Sequence, residues 1–551
     1  MPADEKVGRR EFLKSAALGV TSLAVGGEAC TGRGAARGFA GDAGLSKDAV
    51  AIDAGAGKDA VEVDAGSSED AVAIDAGPSD GAVTVDAGPM DTSADAEASE
   101  NKPPNVLFIL ADQWRAQSLG FAGDPNVRTP TLDRLAGESV TFAHTVSSTP
   151  VCCPYRATLL TGRYPADTGV FLNDVNLAPD RNALGERFKA AGYETGYIGK
   201  WHLDGQGCRL AYTPPERRQG FSRWAAIECT HDYNNSPYYA GNDGTNRLIW
   251  PGYDAIAQTR EMQRWLTLRD PSTPFCYFLS WGPPHDPYDT APGQFAQQFS
   301  PSAIQLRPNV PSSFAADARA SLAGYYAHMA ALDTCMSDLL GTLDQLGLAD
   351  NTILVFTSDH GDMHRSQGNF GKQQPWDESI LVPFLLRHPA RLGRSPRTIP
   401  MRLATPDIMP TLLGLASLAV PPSLPGRDLS PVIRQERAHE DDAALIMCPA
   451  PFGNWGRSIG GKEYRGLRTG RYTYVRDLSG PWLLYDNESD PYQLDNIVNQ
   501  SAYAQVQADL DRQLTAQLAA IGDQFLPGDS YVSQWGYQVD STGTMPYTDA
   551  C

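Results

Sequence analysis

Asn105-Val-Leu-Phe-Ile-Leu110 reads as a buried β-strand and ends in Ala111-Asp112-Gln113. An uncharged run rich in branched side chains suits a strand covered on both faces. The layout recurs downstream. Tyr193-Glu-Thr-Gly-Tyr-Ile198 leads to Gly199-Lys200-Trp201-His202, and Phe275-Cys-Tyr-Phe-Leu-Ser280 leads to Trp281-Gly-Pro-Pro-His285. Thr352-Ile-Leu-Val-Phe-Thr357 leads to Ser358-Asp359-His360-Gly361-Asp362. Helical periods separate these runs, so an α/β domain is expected. Each time, charged or coordinating groups fall just past the strand's C-terminal end, where open parallel sheets hold ligands. Singly, Asp112 or Asp359 would more often cap a helix or shape a turn. His202 and His285 alone would be loop histidines, and Lys200 and Lys372 would be solvated. Four coincidences imply a shared site.

A second stretch supplies chemistry. Cys152-Cys153-Pro154-Tyr155-Arg156 precedes Ala-Thr-Leu-Leu-Thr161-Gly162-Arg163. A cysteine three residues before an apolar helical run, with an arginine one turn on, has the layout of a nucleophile at a helix N-terminus. Free N–H groups and the macrodipole favour an anion there. The plain alternative for Cys152 is an inert thiol or half of a disulfide. With the strand ends, however, these residues make one set: an anion-accepting centre plus a cation site.

Bulk composition narrows the rest. The 551-residue chain is 42% hydrophobic, enough for one large core and an appended domain. Its formal charge of −20 is uneven, because residues 41–104 alone carry −12. No basic stripe marks a nucleic-acid surface. Nine cysteines in so long a chain do not make a disulfide scaffold, and their odd number leaves a thiol over. Gly8-Arg9-Arg10-Glu11-Phe12-Leu13-Lys14 precedes an apolar run, Ser15 to Val25, too short to span a bilayer stably. Residues 1–30 thus resemble a Tat export signal. Cys30, after Gly27-Glu28-Ala29, is a candidate lipid-anchor site, although the usual Leu three positions before it is missing. Asp48-Ala-Val-Ala-Ile-Asp-Ala-Gly55 recurs from Asp59 and from Asp70, a period of 11. Such acidic units cannot bury enough apolar area to offset chain entropy, so 31–104 is expected to be an extended, disordered tether. The Gly-Gly-x-Gly pattern of a calcium β-roll is absent from it.

From Pro104 to about Tyr503 the chain resembles the formylglycine-dependent sulfatases of the alkaline phosphatase superfamily. Ile109-Leu-Ala-Asp-Gln113, Cys152 to Arg163, Gly199-Lys-Trp-His-Leu-Asp204, Ser280-Trp-Gly-Pro-Pro-His285 and Ser358-Asp-His-Gly-Asp362 carry the likeness in order. Gly466-Leu-Arg-Thr-Gly-Arg-Tyr-Thr-Tyr474 and Leu484-Tyr-Asp-Asn-Glu-Ser-Asp-Pro491 resemble the family's smaller C-terminal sheet. The likeness implies a mostly parallel central sheet flanked by helices, with a small antiparallel sheet and helix after it. Boundaries at 105–440 for the catalytic domain and 441–551 for the C-terminal subdomain follow.

Matched position by position, Asp112, Gln113, Asp359 and His360 correspond to the metal ligands. The family commonly has a second Asp where Gln113 stands. A less negative site favours calcium and leaves manganese open. Arg156, Lys200, His202, His285 and Lys372 correspond to residues that hold sulfate and move protons. Met363-His-Arg-Ser-Gln-Gly368 lacks the Leu-Gly-Ser-His-Gly often found there, which bears on substrate contacts. Tyr155 replaces a common Ser or Ala and leaves the motif intact.

The resemblance implies that a maturation enzyme converts Cys152 to formylglycine, whose hydrate offers two hydroxyls on one carbon. One attacks sulfur; loss of the other's proton, to His202, re-forms the carbonyl and expels sulfate. His285 is the candidate acid for the departing alcohol, with Lys372 bridging sulfate and leaving oxygen. The scheme requires Cys152 to lie within hydrogen-bonding or one-water reach of Asp112 and Asp359. The rivals are a phosphonate monoester or phosphodiester hydrolase on the same scaffold, a two-zinc phosphatase, and a tethered, non-catalytic glycan-binding protein. Export, the tether and the segments around Trp281 and Lys372 favour a sulfated glycan. His231-Asp-Tyr-Asn-Asn-Ser-Pro-Tyr-Tyr239 either lines a sugar subsite or packs as a surface loop.

Overall fold

Strand β1 (Asn105–Asp112) is buried at every residue, and its alternate side chains enter two cores. Val106, Phe108 and Leu110 join one; Leu107, Ile109 and Ala111 join the other. This period of two on a strand covered on both faces is what its uncharged sequence requires. The computed structural model describes residues 102–549 apart from Gln206 and Asp441. The expected export signal, Cys30 and the tether up to residue 101 lie outside the described residues.

Beside β1 the sheet contains β2 (Val140–Val146), β3 (Glu194–Lys200), β4 (Arg223–Ile227), β5 (Pro237–Ala240), β6 (Leu248–Ile249), β7 (Phe275–Pro284), β8 (Thr352–Ser358), β9 (Phe384–Arg387) and β10 (Arg397–Ala404). Their order is β10-β2-β9-β8-β1-β7-β3-β4-β5-β6. The centre is parallel, as expected: β8, β1, β7, β3 and β4 pair in that sense. The β9 strand runs antiparallel between β8 and β2. The chain leaves β8, forms the loop carrying Asp359 to Lys372, and turns back along β8 without a long crossover helix.

The strands run further than their apolar cores suggested. Backbone pairing continues beyond the last apolar residue, so β1 ends on Asp112 and β3 on Lys200. A register shift between Leu110 and Asp112 brings Asp112 opposite Pro284 of β7. Such irregularities re-aim side chains at a strand's end.

Helix α1 (Cys152–Thr161) lies with α4 (Thr405–Leu415) in one core, while α2 (Asp254–Leu268) and α3 (Ala315–Gln345) cover the other sheet face. A second sheet is antiparallel: β11 (Ala444–Cys448), β12 (Tyr464–Arg468), β13 (Tyr472–Asp477) and β14 (Gly480–Asp486). Leu510, Leu514 and Leu518 of α5 (Ala504–Ala520), one face of a helix at i, i+4, i+8, seat on its Leu445, Met447 and Leu467. The opposite face, with Ile446 and Val475, shares a core with Val146, Met363 and Trp376 of the larger unit. Beyond α5 the chain returns to the first core: Tyr531 packs near Phe171, and the Tyr537 hydroxyl donates to the Gly169 carbonyl at 2.9 Å.

Asp254 opens α2 in full burial, which pushes its carboxyl up to about 7 despite favourable bonds from Ser236 and the Ala255 N–H. The folded pKa exceeds the unfolded one, so its contribution is present below about pH 4 and lost as pH rises through 7. Asp254→Asn is expected to leave melting unchanged at pH 4 and raise it by about 2 °C at pH 8. Paired thermal melts at the two pH values check this.

Candidate active site

The ends of β1, β3, β7 and β8 and the start of α1 meet above the centre of the sheet. Helix α1 begins at Cys152, which occupies its first turn, and Gly162 closes it in the left-handed region at φ 66°. The Cys152 sulfur stands where the oxygen of a matured residue 152 would be. It lies 3.4 Å from His360 Nε2, 3.9 Å from Asp112 Oδ1 and within 4.8 Å of an Asp359 oxygen, so the required proximity is met. Lys372 Nζ donates to it at 3.1 Å and Lys200 Nζ at 3.6 Å. Burial raises the thiol's pKa, but Lys200 and Lys372 outweigh it and hold the group well below the usual thiol range.

Ligand atoms of Asp112, Cys152, Asp359 and His360 all lie within 4.8 Å of one another, in full burial. One cation coordinating at about 2.0–2.6 Å reaches atoms so spaced. Burial and the Asp112 charge push the Asp359 carboxyl up, so the donor set is short of positive charge. His360 Nδ1 lies 3.0 Å from the Gly361 carbonyl, which assigns the proton there and turns the Nε2 lone pair to the cluster.

Gln113 has a positive φ of 70°. Its backbone N–H donates to Asp359 Oδ1 at 3.0 Å, and its Nε2 donates to Asp362 Oδ2 at 2.6 Å. The acceptor-only carboxylate identifies the nitrogen end of this amide. Tyr288 also donates to Asp362. These residues fit a divalent cation.

Arg156 lies against the carboxylates. Its Nη2 donates to Asp112 and Asp359 at 3.0 and 3.2 Å, and its Nη1 to the Lys200 carbonyl and Ser280 Oγ. The guanidinium is a buried counter-ion beneath the carboxylates. Lys200 Nζ donates to Asp112 at 2.6 Å. Burial and Cys152 would raise the Asp112 carboxyl, but Lys200, His285 and Lys372 prevail and hold it far below its ordinary range.

Two histidines flank residue 152. His202, at φ 56°, bonds through Nε2 to Asp174 Oδ1 at 3.0 Å, and its Nδ1 is buried without a hydrogen-bond partner. Burial disfavours the imidazolium, yet nearby sulfurs and the Asp174 bond raise His202 well above the ordinary imidazole range. His285 Nε2 accepts from Lys372 Nζ at 2.7 Å, and its Nδ1 donates to the Asp286 carbonyl at 2.9 Å.

All ten residues singled out in the sequence thus converge. Several neighbours were not foreseen. Asp362 and Ser280 stood in quoted motifs without a role, whereas Asp174 and Arg209 gave no local signal. The 231–239 segment divides: Tyr233 is buried and donates to the His285 carbonyl at 3.0 Å, while His231 stacks on the His285 ring with centroids 4.6 Å apart. The Tyr233 part is therefore packing. Cys208 is disulfide-bonded, and the six other described cysteines, Cys152 included, are free.

The sulfatase family profile matches residues 104–418, and that of the N-sulphoglucosamine sulphohydrolase C-terminal region matches 366–520. An ulvan-active sulfatase of Formosa agariphila is 45% identical over 80% of this chain and 86% of its own. An endo-4-O-sulfatase of Bacteroides thetaiotaomicron is 32% identical over 73% of this chain and 89% of its own. A solved structure from work on the metabolism of multiple glycosaminoglycans by Bacteroides thetaiotaomicron superposes with a TM-score of 0.69. It is 29% identical, covering 79% of this chain and 99% of that one.

Proposed function

This chain belongs to the formylglycine-dependent sulfatase family, and from that footing we propose that it removes sulfate from a sulfated carbohydrate outside the cytoplasm. The observation that carries the reaction is the Cys152 sulfur, 3.9 Å from Asp112 and 3.1 Å from Lys372, at the head of a helix. Activity of one relative on ulvan and the link of a solved structure to glycosaminoglycans support the carbohydrate. Arg9-Arg10 and the apolar run after them support Tat export, with maturation of Cys152 before it.

Asp112, Asp359, His360 and the carbonyl end of the Gln113 amide would hold a divalent ion, calcium by the hardness of the oxygen donors. When bound, it supplies a Lewis acid that draws charge from the sulfate and acidifies a hydroxyl of residue 152. Lys200 and Lys372 offset the charge of the incoming ester, and the buried site strengthens their pull. Lys372 and His285, bonded to each other at 2.7 Å, are placed to meet the leaving oxygen and deliver its proton. His202, held by Asp174 through Nε2, presents Nδ1 as the atom that takes the last proton from residue 152 when sulfate departs.

The test is a screen of sulfated mono- and oligosaccharides beside an aryl sulfate and an aryl phosphodiester. A sulfated saccharide is expected to give the highest kcat/KM, by about tenfold or more over the phosphodiester. Preference for the phosphodiester would refute the reading. Chelation is expected to abolish turnover and calcium to restore it; restoration by manganese alone overturns the metal assignment.

A further inference from the structure

A chain of contacts leads from the far end of the sequence to His202. Asp174 accepts from His202 Nε2 at 3.0 Å and from Arg209, whose Nε and Nη2 reach its two oxygens at 2.9 and 2.8 Å. A forked pair of this kind fixes both direction and distance. Arg209 sits on an irregular segment that two elements clamp. Its carbonyl accepts from the Cys229 N–H at 3.1 Å, and its own N–H donates to the Thr548 carbonyl at 3.2 Å. The Thr548 N–H returns to the Gly207 carbonyl at 2.9 Å, while Cys208 between them is disulfide-bonded. The Tyr547 ring lies 3.2 Å from the Arg209 guanidinium carbon, covering the face of the fork.

We propose that Tyr547 and Thr548 form a positioning clasp for the proton-removing step: Tyr547 holds Arg209 against Asp174, and Asp174 holds the His202 ring. The clasp rests on the reading that His202 takes the last proton from residue 152. None of its members touches the sulfate itself; they act through His202. Without the ring, one face of the guanidinium loses its packing, and the fork then aims Asp174 less firmly. The His202 ring loses its fixed orientation, and errors of about 1 Å in such a group cost up to ~10²-fold in rate. The step affected is the departure of sulfate, not its arrival.

The experiment compares Tyr547→Ala, Tyr547→Phe, Arg209→Lys and His202→Ala in the full chain, with rates normalised to the fraction of residue 152 matured. Steady-state constants on a fast aryl sulfate are paired with the mass of the residue-152 peptide after acid quench during turnover. Tyr547→Ala is expected to lower kcat by about tenfold or more, with KM changing less. It is also expected to raise the share of peptide retaining sulfate. Tyr547→Phe, which keeps the ring, restores both values. Arg209→Lys, which keeps charge but not the fork, follows Tyr547→Ala. Two results overturn the clasp: unchanged kcat and sulfate retention in Tyr547→Ala, or a raised KM alone, which would make Arg209 a substrate contact. The control separates the two readings. If His202→Ala retains no sulfate, the role of His202 falls; if it does and Tyr547→Ala does not, only the clasp falls.

Discussion

Cys152→Ser is expected to lower turnover by at least about 10⁴-fold, the scale reached when one member of a catalytic unit is removed. Serine is smaller than cysteine, so the start of α1 and the neighbouring Lys372, Lys200 and His360 need not move. The fold and the metal affinity should survive, which makes the loss a statement about chemistry. A serine has one oxygen on its β-carbon. It can accept sulfate once, but no second hydroxyl remains whose proton His202 could remove to break the new ester. Mixing the variant with excess aryl sulfate is expected to release no more than one equivalent of phenol. The residue-152 peptide should then carry the added sulfate. Full turnover by this variant would reject the two-hydroxyl scheme.

His285→Ala tests the opposite end of the reaction. A sugar alkoxide is a poor leaving group and gains from protonation as the S–O bond breaks; an acidic phenol gains little. General acid help is worth about 10²–10⁴ in rate. The variant is therefore expected to lose about that factor in kcat on a saccharide sulfate and less than about tenfold on a nitrophenyl sulfate. Equal losses on both substrates would show that His285 orients Lys372, to which it is bonded at 2.7 Å, and does not act as the acid.

The sequence carried the parallel core well, because Asn105–Leu110 and Thr352–Thr357 bury both faces and advertise this by lacking charge. It also located Cys152 at a helix start, since that placement depends only on neighbours in the chain. The antiparallel β9 escaped notice: four residues, Phe384–Arg387, give too short a run for periodicity, and strand direction is not encoded locally. The partners of Arg156 were hidden for a related reason. Its spacing from Cys152 fixed which way the side chain leaves α1, but its burial under Asp112 and Asp359 depends on strands far away in sequence. Asp174 was invisible on the same grounds, as an isolated acid whose importance arises only when Arg209 and His202 arrive beside it.

The pairing of β1 has a temporal side. Both of its neighbours are distant, and Asp359, which accepts from the Gln113 backbone, lies 246 residues further along the chain. At about 5–20 residues per second of synthesis, β1 stays without its second flank for roughly 12–50 s after leaving the ribosome. Throughout that delay the pocket has no floor on the β8 side and no Lys372. Residue 152, sealed to 1% exposure in the finished molecule, is then still open to a visitor that needs an extended stretch of chain.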